Sequence, residues 1–415
     1  MGRIRGLYEK FNKGVIILYH ELLREQVLEK VNIFEDISKD QLLECIEECV
    51  LQLGKEKYIP LKEKERLKKE LYDSFRGFDV LSQVLEDENV SEIMVNSFNE
   101  IFIEKEGRIY PYEKSFQSQQ KLEDIVQQMV ALSNKRINEA NPIVDFCLED
   151  GSRVNIVLPP VSIHGPTITI RKFSSSPFSM ERLIEIGAIT REAATLLEKL
   201  VKSKYNIFVS GGTGSGKTTF LGALSQWIPK EERVITIEDA PELTLHTLEN
   251  VVRLLSRQSS VEGQYEITIR DLIRSALRMR PNRIIVGEIR SEEALDMLQA
   301  MNTGHEGSLS TGHGNSPKDM LSRIETMVLM GMEIPINAIR SQIAGAIDIM
   351  VHLSRMPDKS RKVVSIDEII GMENGEIMLN PIYKLHKRQE NDSHVLEKVG
   401  NIIHTEKLKR EGYLL

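Results

Sequence analysis

One octet constrains this chain more than any other feature: Gly211-Gly212-Thr213-Gly214-Ser215-Gly216-Lys217-Thr218, with the G-x-x-x-x-G-K-[ST] spacing of a phosphate-binding loop. Glycines at these positions let successive backbone N–H groups converge on one anion, and a helix opening after them adds the positive end of its dipole. The context supplies both neighbours. Asn206–Ser210 is an apolar β-type run, and Lys217–Ile228 places Phe220, Leu221, Leu224 and Trp227 on one helical face. A glycine-rich structural turn is the plain alternative, and it explains neither the lysine nor the flanking elements. Lys217 is expected to reach the β- and γ-phosphates of a nucleotide, and Thr218 to offer its hydroxyl to Mg²⁺ with waters completing the shell. Residues Gly211 to Thr218, with Thr219 behind them, are the candidate nucleotide contacts.

Around the loop, strand and helix alternate. Arg233–Ile237 and Arg283–Val286 read as strands and Ile267–Met279 as a helix. Pro317–Met330 reads as a helix with Ser316 at its N-cap, Pro317 in its first turn and Gly331 at its end. Such alternation builds a parallel sheet covered by helices, with the ligand at the carboxyl ends of the strands. The chain before it has another texture. Ile93–Val95, Glu100–Glu104, Arg153–Leu158 and Pro166–Lys172 are short β-type runs around a helical stretch, Lys121–Leu132. Earlier still, Ser38 and Gln41 have capping-box form and Leu42, Ile46, Cys49 and Val50 share a stripe, while Gly54–Lys69 is Lys/Glu-rich and reads as a solvated helix or a linker. The organisation expected is a helical N-terminal extension over 1–75 and a small α/β domain over 76–178, with Ser174–Pro177 leading out of it. A phosphate-loop α/β domain over 179–390 and a C-terminal tail over 391–415, entered through the polar Glu390–Ser393, complete the chain.

Composition narrows the class. With 41% hydrophobic and 28% charged residues, 415 positions can bury more than one core. Three cysteines are too few for a disulfide framework and point to a reducing compartment. Cys45 and Cys49 lie four apart on the apolar stripe, where core packing is favoured over a metal pair because no second Cys or His pair lies near to complete a shell. No apolar run approaches the roughly eighteen residues of a membrane span, and the N-terminal MGRIRGLYEK lacks the apolar stretch of a secretory signal. A cytoplasmic protein is expected. The net charge of −8 counts against nucleic acid as the main partner, without excluding a local basic groove.

Hydrolysis needs more than a phosphate loop: water must be oriented or deprotonated, and the metal held. Glu238 and Asp239 close one strand and Glu288 follows another through Gly287, so all three should project at the edge that carries the loop. Gly287 stands where an aspartate is usual, which leaves metal contact to Thr218 and waters. The run from Thr303 to Gly314 sets His305 and His313 at the ends of a short Gly-bounded strand, positioned to sense a γ-phosphate. Zn²⁺ is the rival reading, without a matching spacing or a nearby cysteine.

Four ordered motifs carry a resemblance: the phosphate loop, Ile237-Glu-Asp-Ala-Pro-Glu-Leu243, the stretch Arg278 to Glu288, and the histidine box. Together they resemble the secretion ATPases of the type II/type IV superfamily over roughly residues 75 to 385. Asp150-Gly-Ser-Arg153-Val-Asn and Gly165-Pro-Thr-Ile-Thr-Ile-Arg171-Lys-Phe look like the tight-adherence pilus (CpaF-like) branch. The resemblance implies a homohexamer using ATP and Mg²⁺, a RecA-like domain, and an N-terminal domain that clamps the nucleotide. It implies hydrolytic roles for Glu238 and Glu288, γ-phosphate sensing for His313, and nucleotide contact for Arg153 and Arg171, for each of which a surface salt bridge is the alternative. The four-cysteine zinc module of some branches is absent, since no cysteine follows Cys147.

Arg270, Arg274 and Arg278 recur at four-residue spacing, either as a solvated face or as a subunit-interface stripe. The expected function is a cytoplasmic hexameric motor at the inner face of the cell membrane, working on inner-membrane platform proteins of a pilus or secretion system. A nucleic-acid motor of a conjugation-type system and a nucleotide-gated scaffold with little turnover are the alternatives.

Overall fold

The structure, a computed structural model, describes residues 19, 22–27, 30, 39–105, 107–133, 135–173, 178–243, 245, 247–257, 266–387 and 394–413. Ser38, Ser174–Pro177 and Glu390–Ser393, to which capping and linking roles were given above, lie outside them. The chain divides into two compact units, Met1–Phe173 and Ser174–Leu415.

In the first unit, α1 (Lys39–Glu56) and α2 (Leu61–Arg76) share a core of Leu42, Ile46, Cys49, Val50, Leu67 and Leu71. The Lys/Glu-rich stretch is therefore no linker: Leu67 and Leu71, one turn apart, bury one edge of a helix whose other sides are charged. Cys49 is buried within this core and Cys45 borders it. After α3 (Val80–Glu86) come β1 (Val90–Ser97), β2 (Glu100–Lys105), β3 (Arg108–Pro111), α4 (Gln119–Leu132), β4 (Ile143–Cys147), β5 (Arg153–Val157) and β6 (Thr167–Arg171). The strands form an antiparallel sheet in the order β3-β2-β1-β6-β5-β4. Alternate residues Ile93, Val95, Val154, Ile156, Ile168 and Ile170 share a core with Leu122, Ile125, Val126 and Met129 of α4, whose first turn is capped by Ser118 Oγ. The opposite face mixes polar Glu92, Asn155 and Thr169 with apolar Met94, Phe102 and Val157.

The second unit begins with α5 (Met180–Glu185) and α6 (Arg191–Lys202), then β7 (Ile207–Gly211), α7 (Lys217–Ser225), β8 (Val234–Glu238), β9 (Val251–Leu255), α8 (Ile269–Ala276), β10 (Arg283–Ile289), α9 (Glu293–Asn302) and β11 (Leu309–His313). It continues with α10 (Pro317–Gly331), α11 (Ile336–Ala346), β12 (Ile349–Arg355), β13 (Arg361–Glu373), β14 (Glu376–Lys387), β15 (His394–Lys398) and α12 (Glu406–Arg410). Nine strands run in the order β15-β14-β13-β12-β7-β11-β10-β8-β9. Those from β12 to β9 pair parallel, and the β12–β15 meander is antiparallel. Two apolar clusters hold it, one around Leu197, Leu221 and Leu224 and the other around Ile273, Leu298 and Ile324.

The residues expected as a separate tail belong to this unit. β15 adds to the sheet edge, Leu408 is fully buried, and Tyr205 donates to the His404 carbonyl at 2.5 Å. Buried Glu368 accepts from the backbone N–H groups of Ile403 and His404, at 2.8 and 2.7 Å, which draws the chain back over the sheet.

Candidate nucleotide site

Parallel pairing aligns the carboxyl ends of β7, β8, β10 and β11, and the chemistry gathers there. β7 ends in Gly211, where a Cβ would come within 2.4 Å of the Leu353 carbonyl oxygen on β12, so only glycine fits beside that strand. Gly214 and Gly216 take positive φ of 70° and 91°, and a Cβ on Gly212 or Gly214 would meet nothing within 4 Å. The loop thus curves over open space, the shape an oxyanion group requires, and hands the chain to α7 at Gly216. Thr218 is half-buried in the first turn of α7, and Thr219 is exposed.

Lys217 is nearly buried and donates to the Gly212 carbonyl at 3.1 Å. Its Nζ also lies 3.1 Å from Nδ1 of His313, the last residue of β11. Lysine has only protons to offer, so Nδ1 is the acceptor and Nε2 carries the ring proton. Burial holds the His313 pKa below the ordinary imidazole range; Lys217, Arg290 and Arg323 push the same way and Glu288 opposes them. His313 Nε2 is 2.8 Å from Glu288 Oε1, a close polar contact, but its N–H is not aligned on that buried oxygen, which has no aligned hydrogen-bond donor. Arg290 binds the other oxygen, Glu288 Oε2, at 2.9 Å and reaches Asp239 Oδ2 at 3.4 Å, while Asp239 accepts from Ser256 Oγ at 2.8 Å. A continuous polar chain from Lys217 to Ser256 results.

Glu238 stands beside it. Its Oε1 accepts from the backbone N–H groups of Glu242 and Leu243, at 3.0 and 2.7 Å, and Arg253 approaches Oε2 at 3.5 Å. Burial dominates and pushes its pKa up to about 7, against those three donors. The glycine at 287 now has a reason: a Cβ there would come 3.1 Å from Glu238 Cγ. Glu288 lies inside β10, which runs three residues beyond Val286.

Other candidates fall elsewhere. His305 precedes β11 by four residues, and β11 runs parallel to β7 with Leu309 opposite Ile207. The sheet therefore sets His305 at the amino edge, away from the loop, and a sensing role beside His313 is corrected. On α8, Arg270 binds Asp296 and Glu292 at 2.8 Å each and Arg274 binds Asp296 at 2.8 Å. Arg278 lies beyond the helix, which ends at Ala276, and is exposed. In the first unit, Arg153 and Arg171 face each other across β5 and β6, and Glu92 opposes Arg171 from β1.

Sequence reasoning passed over Arg290, Arg253 and Arg361. The last donates its Nε–H to the Gly214 carbonyl at 2.9 Å from the start of β13. Only the three-residue distance of Arg290 from Gly287 could have drawn notice; the other two reach the site through tertiary pairing.

The sequence profile of the family described as Type II/IV secretion system protein matches residues 76–409. A conjugal transfer protein, TrbB, of Rhizobium radiobacter is 30% identical over 339 residues, covering 81% of this chain and 99% of TrbB. Among solved structures, the Legionella pneumophila ATPase DotB matches with a TM-score of 0.50 at 22% identity, over 71% of this chain and 80% of DotB. The pilus retraction motor PilT, solved with bound ADP, matches with a TM-score of 0.50 at 18% identity, over 80% of this chain and 86% of PilT. Both structural likenesses concern the fold, the RecA-like arrangement of these ATPases.

Proposed function

The chain belongs to the type II/IV secretion system protein family, and on that premise we propose that it is a hexameric ATPase driving assembly of a tight-adherence (CpaF-like) pilus, or secretion, through an inner-membrane platform. One observation carries the chemistry: Lys217, His313 and Glu288 are in contact at the mouth of an open phosphate loop. Water attacks the γ-phosphorus in line, the bond to the β-phosphate oxygen breaks, and ADP leaves. Lys217 neutralises charge on the phosphates. Glu288 Oε1, buried without an aligned donor, takes the water's proton, and Glu238 supports it from the adjoining strand. Neutral His313 reads the γ-phosphate through Lys217: its Nδ1 accepts from the lysine and loses that donor when a phosphate oxygen takes it.

Mg²⁺ offsets phosphate charge when bound. Among the described residues no group of three or more His, Cys, Asp or Glu side chains converges as a metal site, which fits an ion held by Thr218, phosphate oxygens and water. Of the three arginines around α8, Arg278 is the best placed to meet a neighbouring subunit, because Arg270 and Arg274 are engaged within the chain. No helix among the described residues is long and apolar enough to cross a membrane, consistent with peripheral attachment at the inner face from the cytoplasm.

The test is phosphate release with a sizing run, with and without ATP·Mg, for wild type and Glu288→Gln. A six-subunit ring whose turnover is lost in the variant is the expected result; tight nucleotide binding without release in the wild type would favour a gated scaffold. The likeness to TrbB over nearly all of that protein's length supports a second reading, a conjugation-type motor. Salt-sensitive stimulation by single-stranded DNA would favour it.

A further inference from the structure

Arg361 opens β13 at the far side of a hairpin whose other strand, β12, pairs with β7 beside the phosphate loop. The hairpin is held by its own bonds: Met356 donates to the Ser360 carbonyl at 2.8 Å, and Asp358 Oδ1 accepts from Ser360 N at 2.9 Å and Oγ at 2.6 Å. Lys362 Nζ pins the next residue to the Gly187 carbonyl at 2.8 Å. Arg361 is thus presented from a fixed base, and its Nε–H donates to the Gly214 carbonyl at 2.9 Å. Its aliphatic stem lies against the loop as well, for a Cβ on Gly216 would come 3.3 Å from Arg361 Cδ.

The bonded carbonyl matters because a peptide group is planar and trans, so fixing its oxygen fixes the opposed N–H. The N–H opposed to the Gly214 carbonyl is that of Ser215. It meets the Gly212 carbonyl at 3.3 Å, a bond long enough for the N–H to be shared with a phosphate oxygen. Gly214 on its near side would otherwise let this peptide turn, since that residue already occupies a positive-φ conformation open to little else. A cationic donor on the carbonyl also polarises the peptide toward a stronger N–H.

We propose that Arg361 is a positioning residue for the nucleotide: it acts through the Gly214 carbonyl, presetting the loop's N–H groups for the β-phosphate. This rests on the nucleotide-binding reading above. Ordering is supplied before binding, so its loss appears in affinity rather than in the chemical step.

The experiment is titration of the full chain with ADP·Mg by calorimetry, beside ATP turnover at saturating substrate. Arg361→Ala is expected to weaken ADP binding about tenfold. Its maximal turnover should stay within about twofold of wild type. Arg361→Lys should recover part of the affinity. Arg355→Ala, removing an equal charge directly across the hairpin from Arg361, should leave binding unchanged. ADP affinity within about twofold of wild type in Arg361→Ala, with Lys217→Ala having lost binding, would overturn the proposal. So would equal losses in the Arg355 and Arg361 variants, which would reduce the effect to general charge. Wild type and Lys217→Ala binding alike would overturn the nucleotide-site reading itself.

Discussion

His313 stands between Lys217 and Glu288, with Nδ1 3.1 Å from the lysine Nζ and Nε2 2.8 Å from the carboxylate Oε1. The imidazole thus sees a cation on one nitrogen and an anion on the other, while burial disfavours its own charge. Its titration should respond with opposite signs to the two neighbours. Burial and Lys217 hold the pKa low and Glu288 raises it. Lys217→Met should move the His313 transition upward, and Glu288→Gln should move it further down. The imidazole resonance, identified by its absence in His313→Gln, is followed by NMR across pH 4.5–8. Shifts of the same sign in both variants would contradict the arrangement.

Arg290 ties the acids of two strands, binding Glu288 at 2.9 Å and Asp239 at 3.4 Å. Held at Oε2, the Glu288 carboxylate leaves Oε1 facing the histidine. Arg290→Ala should lower kcat about fivefold with KM for ATP little changed, as expected when about 1 kcal/mol of orientation is lost from a half-exposed ion pair. Arg290→Lys should restore part of it. A change confined to KM would place the arginine in ground-state binding instead.

Much of the second unit was legible because its signals are local. A strand, a glycine loop and a helix adjoin within 206–228, and the helix over 317–331 carries its Ser316 cap and first-turn proline in sequence. What escaped depends on distant partners. β3 is exposed throughout and β4 alternates over only five residues, so neither has an apolar run to announce it. α2 looked solvated because Leu67 and Leu71 carry its burial among charged neighbours. In the site, Glu238 and Glu288 were visible as acids at strand ends, but their environments were not. Whether a carboxylate accepts backbone N–H bonds, as Glu238 does, or meets only an unaligned imidazole with one oxygen, as Glu288 does, is decided by chain folding back from elsewhere. His305 was misplaced because motif proximity ignored the direction of β11.

The C-terminal segment supplies a stability test. Leu408, fully buried on α12, belongs to the core cluster around Leu200 and Val201. Leu408→Ala should cost about 3 kcal/mol, the ordinary penalty for a buried leucine that leaves a cavity. Urea unfolding reads it directly. Loss below about 0.5 kcal/mol would mean that the segment does not contribute to the unit's core.

Glu238 gives stability a pH dependence of defined sign. Its carboxyl, usually near 4.5, is pushed up to about 7 by burial. As pH rises the unfolded chain therefore releases this proton first, while the folded chain still holds it. The stability contributed by protonated Glu238 is whole below about 4.5 and falls as pH climbs to about 7, beyond which the folded chain carries a buried charge. The interval corresponds to about 3 kcal/mol. Glu238→Gln keeps an acceptor for the Glu242 and Leu243 N–H groups but cannot ionise, so it isolates the effect. With urea unfolding of both proteins at several pH values, wild type should lose ground to the variant by about 2.5 kcal/mol between pH 5 and pH 8. A difference that stays flat over that range would mean that Glu238 ionises as readily in the folded chain as in the unfolded one, and that the two backbone donors and Arg253 fully offset its burial.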